Sequence, residues 1–484
     1  MPDGRDRDAA TPPVEAAAAT DRSSAAESAF AAVKAERFLT DREAILVVTR
    51  DLGANGTALL ALNLCAFLKR RHNVVLLALA GGPLMEAARQ AATVVVALAQ
   101  ATGGRDGALR ASMLAAARTF EPSYAIVNGI PDAPLLQGLV HGGTPPVLLL
   151  HDRPADETLA QCLSLASLVI TPSPALAKGA EDMGGRIETI PPAASQIRMP
   201  ISVDVRRAEA WRARRDMRPG GNRRAFVVLV HCPSGDQAGI GKMLRLARAL
   251  ADTPARRHLR LVWHVTDETN RAAMDALLAR EGATGTPRVS VGVCSETAPG
   301  EVALAFADAV LLLPPYSGVP MAALQALGRG TPVITIGGES WFAEMLRGEA
   351  GLAYCAAGDD GLDTVAAVVR HLAEDRSRYL ATAAAARSLA EARLGMPGYV
   401  AAVHRAATAA AQTWRNERPS VAIRGGDPAI AAYRTLDVPW STDPVVSIIV
   451  PVHGNFAFTY ACIRSIVETQ PRTPLEVIIV DDCS

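Results

Sequence analysis

From Ala44 to about Trp414 the chain repeats one pattern: a short, continuous run of large apolar residues, then a stretch with helical spacing. The first half of that span carries ILVV (45–48), NVVLLAL (73–79), TVVVAL (93–98), YAIVN (124–128), PVLLL (146–150) and LVIT (168–171). A strand that is apolar at every position is buried on both faces. Helices of the kind seen in GTALLALNLCAFLKRR (56–71) supply the cover, so the chain is read as α/β with parallel sheets. The pattern pauses over 191–224, where prolines and a basic run (Arg206, Arg207, Arg212, Arg214, Arg215) mark a linker followed by a solvated helix. It resumes with AFVVLVH (225–231), LRLVWHV (259–265), RVSVGV (288–293), AVLLL (309–313), PVITI (332–336) and GLAY (351–354). Two Rossmann-like, doubly wound domains are therefore expected, at 41–200 and 201–414. Ligands of such sheets bind beyond the carboxyl ends of the strands, which places the expected site in the cleft between the two.

The flanks differ. Residues 1–40 are rich in Ala, Ser, Thr, Asp and Arg and bring little large apolar surface, so a disordered or loosely helical tail is expected. Residues 415–444 read as a polar linker. Beyond it, 445–484 follow a strand, turn, helix, strand order, an incomplete βαβ unit. Such a unit leaves a sheet edge and one face uncovered, so it is expected to open a longer domain.

Composition removes several classes of partner. Lys plus Arg number 49 and Asp plus Glu number 49, so no global field draws in nucleic acid. The seven cysteines stand singly, without zinc-ligand spacing, and read as reduced and mostly buried; no metal site is expected in the tandem domains. No apolar run reaches the roughly 20 residues that cross a bilayer, and 1–22 carry charges and prolines where a signal peptide would be apolar. The expected location is the cytoplasm, with peripheral membrane contact left open. Oligomeric state is not legible.

The most informative segment is SGVPMAALQALGRGTPVI (317–334). Its small residues let backbone approach a ligand closely, and the helix that follows offers unpaired N–H groups to an anion. The segment resembles the donor motif of the retaining, family 4 type of GT-B glycosyltransferases, and the resemblance extends over about 44–414. It implies a site for a nucleoside-diphosphate sugar that works without a cofactor or metal. Laid on this chain, the motif's first acid falls on Ser317, its glycine on Gly318 and its second glutamate on Gln325, so both acids are replaced. Gln325 keeps the capacity to hydrogen-bond a ribose hydroxyl, whereas Ser317 brings no carboxylate to a transferring sugar. The plainer alternative is that Gly318 and Pro320 only shape a turn.

The loop and helix HCPSGDQAGIGKMLRLARAL (231–250) depart from the family in the same direction. Gln237 and Ala238 stand where a cationic pair is usual, and Lys242 is the nearby cation, either on a phosphate or simply solvated. The segment lacks the P-loop pattern and the third glycine of a dinucleotide turn. A hydrogen bond to a charged group contributes about 1.5 to 3 kcal/mol, so losing two weakens donor binding by about two to four powers of ten. A helix terminus offsets only about 0.3 to 2 kcal/mol of that.

TRDLGANGTALLALNL (49–64) resembles the family's opening strand, glycine loop and helix, in which Gly53 and Gly56 would let backbone reach the donor. Asn128 and His151 fall at carboxyl ends of strands, facing the expected cleft. His151 matches the histidine that contacts the transferring sugar in that family, and it is the candidate catalytic residue; a merely polar histidine at a strand end is the alternative. The segment VSIIVPVHGNF…LEVIIVDDCS resembles the start of a family 2 GT-A glycosyltransferase. There Asp481 or Asp482 would contact the nucleotide, and a divalent ion (Mg or Mn) would belong to parts beyond this segment. A turn-forming pair of aspartates is the alternative.

The expected function is transfer of a sugar from a nucleotide-sugar donor to a glycan or lipid-linked acceptor, placed in surface polysaccharide synthesis by analogy alone. The competing reading is a catalytically degenerate GT-B module that binds nucleotide, glycan or partner. A nicotinamide-dependent oxidoreductase is disfavoured, and an epimerase of the same fold stays open.

Overall fold

In the computed structural model the described residues are 30–34, most of 38–196, 210–216 in part, most of 225–417, 436, 438, 441, and 443–452, 456–469 and 473–481. Within these spans 99–106, 131, 153, 183–184, 232–236, 253–256, 266–267, 281–287, 296–302, 314–318, 337–340, 347–352 and 356–360 lie outside them. By contacts the chain divides into two compact units, 1–410 and 411–484.

The first unit holds two sheets. The larger is ordered β1-β4-β3-β2-β5-β6-β7-β8: β1 (Phe30–Lys34), β2 (Ala44–Thr49), β3 (Asn73–Ala78), β4 (Val94–Leu98), β5 (Ala125–Asn128), β6 (Pro146–Leu149), β7 (Leu168–Thr171) and β8 (Ile187–Thr189). All pairs are parallel except β1 with β4. The tail expectation is thus corrected at 30–34, which add an antiparallel edge strand; 1–29 lie outside the described residues. β8 was not foreseen either, being three residues long and half exposed.

Helices α1 (Gly56–Leu68), α2 (Met85–Ala91), α3 (Gly107–Arg118), α4 (Ala133–His141), α5 (Asp156–Leu165) and α6 (Pro174–Glu181) cover this sheet. β2, β3, β5 and β6 are buried at every residue, as continuous apolar runs require. Leu46, Val48, Val75, Leu77, Val127 and Leu148 face α3 to α6 in one core layer. The alternate residues face α1 and α2. The chain winds β2, β3, β4 one way, then restarts at β5 on the other side of β2, so the switch point lies between β2 and β5.

The second sheet is wholly parallel, ordered β11-β10-β9-β12-β13-β14: β9 (Phe226–His231), β10 (Leu259–Val265), β11 (Val289–Ser295), β12 (Ala309–Leu312), β13 (Val333–Ile336) and β14 (Ala353–Cys355). Phe226, Val228, Val230, Leu261, Trp263 and Leu311 face α7 (Gln237–Ala251), α8 (Glu268–Arg280) and α11 (Leu362–Glu374). Because the crossover between parallel strands is right-handed, α9 (Met321–Arg329), which joins β12 to β13, covers the opposite face. This sheet's switch point lies between β9 and β12. Helices α10 (Trp341–Leu346) and α12 (Arg376–Arg393) complete the lobe. Helix α13 (Met396–Glu417) then follows, and its His404 binds Tyr124 of the first lobe.

The second unit contains β15 (Val446–Val452) and β16 (Leu475–Asp481), parallel in register, joined through α14 (Phe456–Glu468). Ile463 and Leu475 are buried, while Val446, Ile449, Ile478, Ile479 and Val480 are exposed. The incomplete βαβ order read from the sequence is therefore present. No helix among the described residues is long and apolar enough to cross a membrane.

Candidate functional site

β2 runs out at Thr49, and the chain turns through Asp51–Asn55 into α1. One oxygen of the Asp51 carboxylate accepts from Gly53 N–H at 2.8 Å and from Asn55 Nδ2 at 2.8 Å. Asn55 caps α1 in turn, its Oδ1 accepting from Ala58 N–H at 2.9 Å. The loop is thus closed on its own carboxylate, and Gly53 N–H is spent there rather than left for a phosphate. Gly56 opens α1, and its Cα faces the other lobe: a Cβ there would stand 1.9 Å from the Val319 carbonyl oxygen and 3.2 Å from Met321 Cβ. Gly56 is therefore the point where the first lobe touches the turn that leads into α9.

Across the first sheet's switch point, Thr49 pairs with Asn128 at the end of β5. Asn128 is wholly buried, and its Nδ2 donates to Thr57 carbonyl oxygen at 2.8 Å. That leaves its Oδ1 toward His151, just past β6, whose Nε2 lies 2.8 Å away. An amide oxygen only accepts, so His151 carries its proton on Nε2 and keeps the Nδ1 lone pair. Burial lowers the His151 pKa to about 4, so the ring is neutral at physiological pH. Gly129 adopts φ +67° between Asn128 and the loop; a Cβ there would lie 3.0 Å from both His151 Cδ2 and Thr57 Cγ2. The sequence-predicted Asn128 and His151 are brought together, and Thr57 joins them, while Asp51 organises the neighbouring loop. Neither of the latter carries a signal of its own in the sequence; only their place after the first strand marked them.

On the second lobe, α9 begins at Met321 behind Val319 and Pro320, which are buried. Ser317 and Gly318 lie outside the described residues. Gln325 sits one turn into α9, partly buried, and its Oε1 is enclosed without a hydrogen-bond partner. Lys242 is on α7, which starts at Gln237. The Gly239–Gly241 stretch thus falls inside the helix rather than in a glycine loop before it, since glycine costs a helix only about 1 kcal/mol relative to alanine. Lys242 stands more than one turn from the helix end. Asp481 closes β16 in the second unit, and Asp482 lies outside the described residues.

The segment between the lobes is tied to both. Asn63, buried in α1, donates from Nδ2 to Ser195 Oγ at 2.7 Å and accepts at Oδ1 from Gln196 N–H at 2.9 Å. Ser195 N–H in turn donates to the Met321 sulfur at 3.1 Å. Among the described residues, no three His, Cys, Asp or Glu side chains gather where a metal ion could sit.

Two parallel, doubly wound lobes meeting at the carboxyl edge of their sheets define the Rossmann-like GT-B fold, and this chain has it. The solved structures it resembles are GT-B glycosyltransferases. Anabaena Alr3699/HepE, determined in complex with UDP and glucose, aligns with a TM-score of 0.55 at 18% identity over 76% of this chain and 100% of its own. Sucrose-phosphate synthase from Thermosynechococcus elongatus gives 0.55 at 13% identity, over 78% and 99%. The trehalose 6-phosphate synthase from Burkholderia multivorans gives 0.56 at 12% identity, over 77% and 100%. No family model and no curated protein matches the chain.

Proposed function

We propose that the first unit is a glycosyltransferase of the retaining, family 4 type, taking a sugar from a nucleoside-diphosphate donor held between the lobes. The observation that carries this reading is the meeting at Gly56 and Val319 of the Asn128–His151 pair's lobe with the α9 corner. Both are ligand-binding ends of doubly wound sheets. In this reading His151 Nδ1 accepts a hydroxyl hydrogen of the transferring sugar, and its neutral state keeps positive charge away from the cation that develops on that sugar. Gln325 Oε1 supplies a buried acceptor for a ribose hydroxyl. Gly53 and Gly56 line the same corner, Lys242 is the cation of the second lobe, and Ser317 and Gly318, outside the described residues, belong to the donor motif by sequence alone. The acceptor is a glycan or lipid-linked hydroxyl in surface polysaccharide synthesis, and the site lies in the cytoplasm.

A second reading is supported by the Asp51 carboxylate on Gly53 N–H, which closes an anion site, and by the two acids replaced at Ser317 and Gln325. In it the first unit binds nucleotide or glycan without transfer. Chemistry then belongs to a family 2 GT-A domain whose first strands are 445–484, with Asp481 and Asp482 at its nucleotide and a divalent ion elsewhere in it. Titration and hydrolysis assays with a panel of nucleotide sugars, run on the wild type, His151→Ala and Gln325→Ala, separate the two. Saturable binding with turnover that His151→Ala abolishes supports the first reading. Binding without turnover supports the second. No binding to any of them removes the first reading and the nucleotide form of the second.

A further inference from the structure

α1 is apolar almost throughout, and Asn63 is its exception, a wholly buried amide among Leu60, Leu62, Leu64 and Cys65. Packing within the helix gives no reason for it, since an unpaired buried amide is costly and a leucine would fill the space. Its partners give the reason. Gln196 N–H can only donate, so the atom it meets at 2.9 Å is Oδ1; Nδ2 then donates to Leu59 carbonyl oxygen at 2.6 Å and to Ser195 Oγ at 2.7 Å. Both hydrogens of the amide are used, and the bonds to Ser195 and Gln196 leave the helix.

Residues 194–196 belong to the segment that carries the chain out of the first lobe, and they are tied to three places in the fold. Gln196 is held by Asn63. Ser195 accepts from Asn63 at its hydroxyl and donates from its N–H to the sulfur of Met321, the first residue of α9, at 3.1 Å. Ala194 N–H donates to Leu394 carbonyl oxygen at 3.3 Å, at the break between α12 and α13 where the chain turns back toward the first lobe. The outgoing and returning crossings are thus joined to each other, to α1 and to α9. Gly56 and Asn63 stand about two helical turns apart and so share one face of α1. Gly56 meets Met321 directly, and Asn63 reaches it through Ser195.

We propose that Asn63 is a positioning residue for the cleft: through Ser195 it fixes the start of α9 against α1, and so sets the lobe arrangement that a ligand meets without touching the ligand. For the identity of that ligand the assignment rests on the nucleotide-sugar reading above; for its geometry it rests on these hydrogen bonds. A buried, fully paired amide suits the task because its bonds are satisfied in one orientation, whereas apolar contacts in the same place tolerate sliding. Without it the crossing segment loses its hold on α1, and the α9 corner shifts relative to Gly56. Ligand affinity then falls, because the competent arrangement is populated for a smaller fraction of the time.

The test uses the full chain with a dye pair introduced through unnatural residues at Gln90 of the first lobe and Arg376 of the second, both exposed, and reads the inter-lobe distance by single-molecule energy transfer. Binding of UDP, GDP and ADP is measured in parallel by calorimetry, at a temperature where circular dichroism shows each variant folded. Asn63→Leu and Ser195→Ala are each expected to broaden the distance distribution and to weaken the tightest-binding nucleotide about tenfold. The double variant is expected to do no worse than either alone, since both cut one chain of contacts. Ser195→Thr, which keeps the hydroxyl, is expected to match the wild type. A lowered melting temperature with wild-type distances and wild-type affinity is the mark of a role confined to stability, and it overturns the inference. Additive losses in the double variant overturn it as well, and so do altered distances with unaltered affinity. Should Asn63→Leu fail to fold, Ser195→Ala and Ser195→Thr carry the same decision. If the wild type binds none of the three nucleotides, the nucleotide-sugar reading falls, and the distance distributions alone decide for or against Asn63.

Discussion

The carbonyl oxygen of Val319 stands 1.9 Å from where a side chain on Gly56 would begin. The first turn of α1 and the turn before α9 thus meet backbone to backbone.

A methyl group at Gly56 has little soft to displace, because the two nearest atoms it meets are the Val319 carbonyl oxygen and carbon, and the third is Met321 Cβ, the least mobile atom of that side chain. Gly56→Ala is expected to cost about 1 to 3 kcal/mol in chemical denaturation, the range for overpacking. Gly241→Ala is the opposite case: its Cβ meets nothing within 4 Å and it lies inside α7, so a gain of up to about 1 kcal/mol is expected. Equal effects at the two positions would show that the lobes do not touch at Gly56.

His151 titrates well below its unfolded value. A histidine with a depressed folded pKa contributes stability that is complete above about pH 6.5 and is lost as pH falls toward about 4. The amount is on the order of 3 kcal/mol for a shift of this size. Denaturation of wild type and His151→Gln between pH 7 and 4.5 is expected to show the wild type falling more steeply; parallel curves would refute the buried neutral ring.

Asn63 holds the crossover between lobes through Ser195 and Gln196. Asn63→Leu is expected to destabilise by about 1 to 3 kcal/mol, since it strands the Gln196 N–H. Limited proteolysis should then cut near 195–200 sooner than in wild type. An unchanged cleavage rate at that segment would count against the clamp.

Tyr124 OH lies 2.7 Å from His404 Nδ1, and the His404 ring lies 4.7 Å from that of His72. Burial lowers both histidine pKa values; His404 and Arg71 and Arg42 lower that of His72 further, while Glu43 raises both. Their contribution is present above about pH 6.5 and is lost below it. Hydrogen exchange of the α13 amides in 396–410 is expected to speed up as pH is lowered, after correction for intrinsic rates, and His404→Gln to blunt that response. Tyr124→Phe should cost about 1 kcal/mol at pH 7.5.

Much of the architecture was legible because parallel strands advertise themselves. Runs such as those at 45–48, 73–79 and 225–231 are apolar at every position, and the buried strands β2, β3 and β9 follow them closely. Asn128 and His151 could be placed at a sheet edge because each ends such a run. β1 at 30–34 was not legible: FAAVK is short and sits in an Ala- and Ser-rich stretch, and it becomes a strand by pairing with β4. The start of α7 before Gly239–Gly241 was not legible either. Glycines suggest a loop locally, but α7 packs its Met243, Leu244, Leu246 and Leu250 into the core, and that burial carries the helix through them.

By itself the sequence determined the periodicity of burial, hence two parallel, doubly wound sheets and the residues at their carboxyl ends. Only the tertiary structure decided what meets there: Val319 against Gly56, Asp51 on the Gly53 amide, His231 beside His264, and Asn63 on Ser195. Periodicity is a property of neighbours along the chain. Except for Asp51 and Gly53, these partners are far apart in sequence, and their approach is set by how the packed helices and sheets close on one another. Even the Asp51 contact depends on the turn that β2 and α1 hold between them.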